Sequence, residues 1–202
     1  MSQSLIIESQ YFPPISSISA ISKVDQVYIE AHETYQKRSF RNRCYLIGPN
    51  GINHASVPLR KGKHQQLPIS EVLISYDTPW HKNFLKLCTS HYGRSPYFDY
   101  VFPVIRNLLE KEYESLFELN EAVLEWILDF LEIEAQLLHT TAYQKKYDEP
   151  TINLRAVTTV KNFHTYALPP YQQVFLERHG FISNVSILDL LFCMGKESVY
   201  YF

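Results

Sequence analysis

The chain has 202 residues and a formal charge of −2, with 46% apolar and 20% charged residues. That is the make-up of a globular protein of one ordinary to large domain, able to bury roughly 70% of its unfolded surface without a disulfide or metal staple. The small net charge argues against an RNA-binding role for its Arg and Tyr residues, because neutralising phosphates needs a broader basic face, and no apolar run approaches the roughly 20 residues of a membrane span.

The three cysteines, Cys44, Cys88 and Cys193, are far apart and odd in number, with no Cys-x-x-Cys or Cys/His spacing suited to zinc. They read as buried thiols of a reduced compartment. Met1–Gln10 lacks a basic start and has only Leu5-Ile6-Ile7 as an apolar run, so it does not read as a signal peptide, and the expected location is the cytoplasm.

Ser4–Glu8 is a short β-branched run that stops before the stiff Tyr11-Phe12-Pro13-Pro14 loop. Ile15, Ile18 and Ile21 then mark one face of a short helix, and Gln26–Glu30 reads as a second strand. This is a βαβ unit, whose first loop lies at the carboxyl end of the first strand, where ligands collect in open α/β sheets. No glycine-rich phosphate loop is present, so Tyr11–Pro14 fits a ligand loop and a simple turn equally.

Tyr35–Arg43 places Lys37, Arg38, Arg41 and Arg43 within nine residues, interleaved with Tyr35, Phe40 and Asn42. A local excess of cations in a near-neutral chain points to an anion site, the ordinary alternative being a solvated face. The stretch leads into a hairpin, Arg43–Gly48 and Ile52–Leu59 across Pro49-Asn50-Gly51. Arg41 and Arg43, two apart in an extended segment, are expected to face one side and to converge on one anion. Lys61–Gln66 is a polar loop to which no function is assigned.

Ile69–Ser75 reads as a further strand. A helix is predicted from Thr78-Pro79 to Gly93, and another from Ser95-Pro96, with Pro103 expected to break or kink it. Asn120 is the expected cap of an amphipathic helix with Val123, Leu124, Ile127, Phe130 and Leu131 inward. Thr140–Pro170 loses periodicity while collecting Lys145, Lys146, Arg155, Lys161 and His164, the pattern of a functional or mobile loop. Ser186-Ile-Leu-Asp189 has the form of a capping box, which makes Asp189 structural rather than catalytic. Together these predict one α/β domain over residues 1–202: a mixed sheet begun by the βαβ unit and extended by the hairpin, covered by helices.

The same residues resemble the WbqC-like protein family. Tyr11-Phe-Pro-Pro14 is similar to its N-terminal Tyr-x-Pro element, and Lys37 to Arg43 to its Lys-x-x-x-Arg-Asn-Arg core. Gly51 with Val57-Pro58, Trp80, Tyr92, Pro96-Tyr-Phe98, Tyr171-x-Gln-Val-Phe175 and Ser186–Phe192 follow in the family's order. The resemblance implies a place in bacterial surface-polysaccharide (O-antigen) biosynthesis but carries no established reaction. Many relatives have an Asp pair where this chain has Glu30-Ala31-His32-Glu33, and Asp-Leu-Arg where it has Asn153-Leu154-Arg155.

The residues and the resemblance lead to a transferase-like enzyme acting on a small phosphate-bearing, nucleotide-linked substrate. Lys37, Arg41 and Arg43 would neutralise the phosphates, joined by Arg155 and Lys161 from the long loop, with Tyr11 near the base or sugar. Glu30, Glu33 or His32 would move protons, and Asn42 and Gln173 either bind ligand hydroxyls or satisfy buried backbone groups. The alternative is a non-catalytic accessory or binding protein of polysaccharide assembly, favoured by the lack of a recognisable nucleophile, metal cluster or phosphate loop. No cofactor is named by the sequence.

Overall fold

The computed structural model describes residues 4–60 and 66–202. The Lys61–Gln65 part of the polar loop lies outside them. Four short strands form one all-parallel sheet in the order β5-β2-β1-β6: β1 (Ser4–Glu8), β2 (Gln26–Glu30), β5 (Gln136–His139) and β6 (Thr151–Asn153). The central strand β1 is buried from Leu5 to Glu8, which is why it reads as a continuous apolar run rather than an alternation. Helix α1 (Ile15–Ile21) makes the crossover from β1 to β2 and buries Ile15, Ile18 and Ile21.

The antiparallel hairpin, β3 (Arg43–Gly48) and β4 (Gly51–Ser56), does not extend this sheet. It is a two-stranded sheet of its own, so the two kinds of pairing are divided between sheets. Gly48 pairs with Gly51, leaving Pro49-Asn50 as the turn, and Gly51 takes a φ of 95° that only glycine adopts freely. Ile69–Ser75 is not a strand. Ile69–Glu71 is a 3-10 turn and the segment makes isolated bridges only, from Ile74 to Leu59 and from Leu73 to Ser115.

Helices α2 (Trp80–Tyr92), α3 (Phe98–Glu110), α4 (Leu116–Leu131), α5 (Leu176–His179) and α6 (Ile187–Met194) supply the rest. Gly93 ends α2 as expected. Helix α3 runs through Pro103, which sits on its exposed side. The cap of α4 is Ser115 rather than Asn120: Ser115 and Glu118 form a complete capping box, and Asn120 lies buried in the second turn. Helix α6 is buried from Ile187 to Cys193, apolar all round except for Asp189, as a helix enclosed by α1, α3 and β3 has to be. Leu5, Ile7, Val27 and Ile29 of the sheet and the apolar faces of the helices belong to one contiguous cluster. No helix among the described residues is long and apolar enough to cross a membrane.

Candidate functional site

The carboxyl ends of the parallel strands gather a set of charged side chains. Glu8 and Glu30 are register partners at the last position of β1 and β2. Paired residues of neighbouring strands point to the same face about 4.8 Å apart, so two like charges stand side by side unless they are compensated. Both are buried, and Glu33, five per cent exposed, adds a third carboxylate.

Each of the three is held differently. Glu33 receives Arg41 through two hydrogen bonds, Nε to Oε1 at 2.7 Å and Nη2 to Oε2 at 2.6 Å, and Arg41 is itself 2% exposed. Burial pushes the Glu33 carboxyl above the ordinary range, opposed by the Arg41 hydrogen bond and charge, with Glu8 and Glu30 pushing it further up. Glu30 accepts from the Thr140 hydroxyl and the His32 N–H, both at 2.9 Å, and its other oxygen pairs with Arg155 Nη1. Glu8 accepts from two neutral groups, Gln10 Nε2 at 3.0 Å and the Ala156 N–H at 3.0 Å.

Arg155 is fully engaged. Besides Glu30 it donates to Asn153 Oδ1 at 3.1 Å and to the Gln144 carbonyl at 2.6 Å, and its guanidinium lies 5.0 Å from the ring centres of both Tyr143 and Tyr147. It thereby pins the segment after β5 over the sheet end. Asn120, reaching in from α4, donates to the Arg41 carbonyl at 2.8 Å and to Ser9 Oγ at 2.9 Å, so α4 fixes the turn that carries Arg41.

Beside this cluster lies a cavity of about 260 Å3, lined by Glu8, Arg41, Lys37, Arg38 and the strap from Ala156 to Lys161. Arg38 and Ala156, both lining it, have positive φ (56° and 58°), a conformation non-glycine residues hold only where surrounding contacts enforce it. Thr158 is shared with an adjoining cavity of about 340 Å3 that includes Gln10, Ser16, Ser17 and Asn162.

Arg41 lines the cavity and Arg43 does not, so the two do not converge on it, although both charges act on Tyr35. Arg41 lies in the turn before β3, so strand alternation does not apply to it. Arg43 begins the strand, partly exposed, where its charge acts on Tyr35 and His54, and it does not line the cavity. His32 is exposed. Asn42 donates to the Val57 carbonyl at 2.9 Å, and Gln173 donates to and accepts from the Ile182 backbone, both at 2.9 Å, so both satisfy buried backbone groups. Tyr11 is 1% exposed within an aromatic cluster of Phe12, Trp80 and Phe84 and lines neither sheet-end cavity. Glu8, Thr140 and Asn120 were missed. Their positions at strand ends and beneath the Arg41 turn carry no periodic signal, although Glu8 closes a strand whose carboxyl end was already singled out.

The sequence profile of the WbqC-like protein family matches residues 8–162 and 155–201. The chain belongs to this family. It is also similar to the uncharacterized Mycobacterium tuberculosis protein Rv1507c, 26% identical over 228 residues that cover 98% of this chain and 96% of that protein. No solved structure is significantly similar. In this WbqC-like chain the C-terminal motif closes on a buried carboxylate. Asp189 accepts from Tyr92 at 2.9 Å, Tyr171 at 2.6 Å and Gln173 at 3.0 Å, rather than reaching back to its own helix start. Ser186 does cap α6, through the Leu188 N–H. Among the described residues no group of three or more His, Cys, Asp or Glu is arranged to hold a metal ion.

Proposed function

We propose that the sheet-end cavity binds the phosphate portion of a nucleotide-linked donor and that the protein transfers a group from it in bacterial surface-polysaccharide assembly. The observation that carries this reading is the lining of one cavity by Lys37, Arg38, Arg41 and Lys161 around the Glu8 carboxylate. At about 260 Å3 it is near the lower end of ligand-site volumes, which suits phosphoryl groups, with the uncharged remainder of the donor in the adjoining cavity.

Burial divides the roles. Arg41 is buried and locked to Glu33, so it shapes the wall, and Arg155, locked to Glu30, does not line the cavity, while the exposed Lys37, Arg38 and Lys161 meet the phosphates. Glu8, which accepts from the neutral Gln10 amide and the Ala156 N–H, takes the proton of an attacking hydroxyl as the phosphate departs with the bonding electron pair. Glu8→Gln is then expected to keep donor binding and lose transfer. A Glu8→Gln protein that turns over normally removes Glu8 from the chemistry. A second reading, an accessory protein that binds without catalysis, is favoured by the engagement of Glu30 and Glu33 in ion pairs. It becomes the better one if the intact protein binds the donor and no acceptor is ever consumed.

A further inference from the structure

The cavity of about 340 Å3 that meets the cation-lined one at Thr158 has a different chemistry. It lies between α1 and the strap that runs from Leu154 to Tyr166, and among the described residues no charged side chain lines it.

Most of its polar lining is already committed. The Asn162 side chain accepts from the Thr159 N–H and hydroxyl at 2.6 and 2.9 Å and donates to the Val157 carbonyl at 3.1 Å. The Thr165 hydroxyl donates to the Asn162 carbonyl at 2.7 Å. Gln10 donates to Glu8, and its side-chain oxygen, like the Ser16 hydroxyl, is sealed from contact. Ser17 differs. It is 5% exposed, and its hydroxyl makes no hydrogen bond among the described residues and is not sealed. Too few free donors and acceptors remain to hold a polyhydroxylated ring, while an aliphatic chain would strip water from Ser17 and return no partner.

Tyr166 supplies the missing contact. Its backbone is held on both sides, the N–H by the Phe163 carbonyl at 3.2 Å and the carbonyl by the Ser183 hydroxyl. Its side chain lines the cavity, is 45% exposed and packs against no other ring among the described residues. A ring anchored in this way at a cavity suits a planar ligand, because stacking needs only a π-face, and the edge of such a ligand carries the groups that Ser17 lacks. Tyr166 follows Lys161 of the cation-lined cavity by five residues, across a 3-10 turn (Phe163–Thr165) that rises about 2 Å per residue. Their backbones are thus on the order of 10 Å apart, a reach that one nucleotide spans.

We infer that this cavity takes the nucleobase of the donor, stacked on Tyr166, and that the group to be transferred lies outside it. The inference rests on the phosphate site proposed above, and calorimetric titration tests the two separately. The intact protein, Tyr166→Ala and Tyr166→Phe are each titrated with inorganic pyrophosphate, isopentenyl diphosphate, UDP, CDP, dTDP, ADP and GDP. At least one nucleoside diphosphate binds the intact protein about tenfold tighter than pyrophosphate or isopentenyl diphosphate. Tyr166→Ala removes that advantage without changing pyrophosphate binding or the melting temperature, and Tyr166→Phe keeps it. Pyrophosphate binding with no nucleoside diphosphate advantage, an equal gain from the isopentenyl chain, an advantage that survives Tyr166→Ala, or one lost in Tyr166→Phe overturns the stacked base and leaves the phosphate site standing. Absence of binding by pyrophosphate and by every nucleoside diphosphate overturns both.

Discussion

Glu33 and Arg41 are eight residues apart and lie buried in a two-pronged contact, which sets what each can do. Removing two charges from water is expensive, and the pair is tolerated because every prong is matched. Arg41→Ala strands the Glu33 carboxylate and is expected to lower stability by about 3–5 kcal/mol, measured by urea unfolding. The Glu33→Ala/Arg41→Ala double variant loses less than the sum of the single losses, and strict additivity would deny the pair. An Arg41 substitution is therefore a poor probe of ligand binding. The cationic stretch was legible as a cluster, but its division was not. Which arginine is buried depends on the turn at Phe40–Arg41, set by the Tyr11 N–H to the Phe40 carbonyl and by Asn120 to the Arg41 carbonyl, contacts from distant segments.

At the scale of elements, the first two turns of α4 show what local chemistry decides. Ser115→Ala removes a true cap and is expected to cost about 1 kcal/mol. Asn120→Ala removes a buried amide that holds the Arg41 carbonyl and Ser9, and is expected to cost more, about 1–3 kcal/mol, from the groups left unpaired. A loss from Asn120→Ala no larger than that from Ser115→Ala would contradict this role for the buried amide. The βαβ unit, the hairpin, α2 and α6 were readable because apolar period, proline, glycine and cap residues agree there. Strands β5 and β6 were not, because four and three residues with half-exposed patterns carry too little periodicity; their partners β2 and β1 impose the pairing. For the same reason the long segment after Thr140 looked structureless, yet it delivers β6, Arg155 and the cavity strap.

For the whole molecule, burial of titratable groups sets the pH range of stability. Tyr11, Tyr92 and Tyr171 and all three thiols are buried with their pKa values pushed up by desolvation. Below the ordinary thiol and phenol values of about 8.5 and 10 both states keep these protons and full stability is present. Above them the unfolded chain loses protons that the native state retains, so stability falls as pH rises. A urea midpoint unchanged from pH 8 to pH 11 would contradict this, as would native-state labelling of Cys44, Cys88 or Cys193 by a thiol reagent. On the proposed reading the sheet end is an anion site whose exposed cations, not its buried arginines, meet the ligand. Titration calorimetry of a nucleoside diphosphate with the intact protein, Lys37→Ala and Lys161→Ala tests it most directly. Binding weakened roughly 10- to 100-fold in either variant, with the melting temperature unchanged, is the predicted result; equal affinity in all three proteins, or none in the intact one, would contradict it.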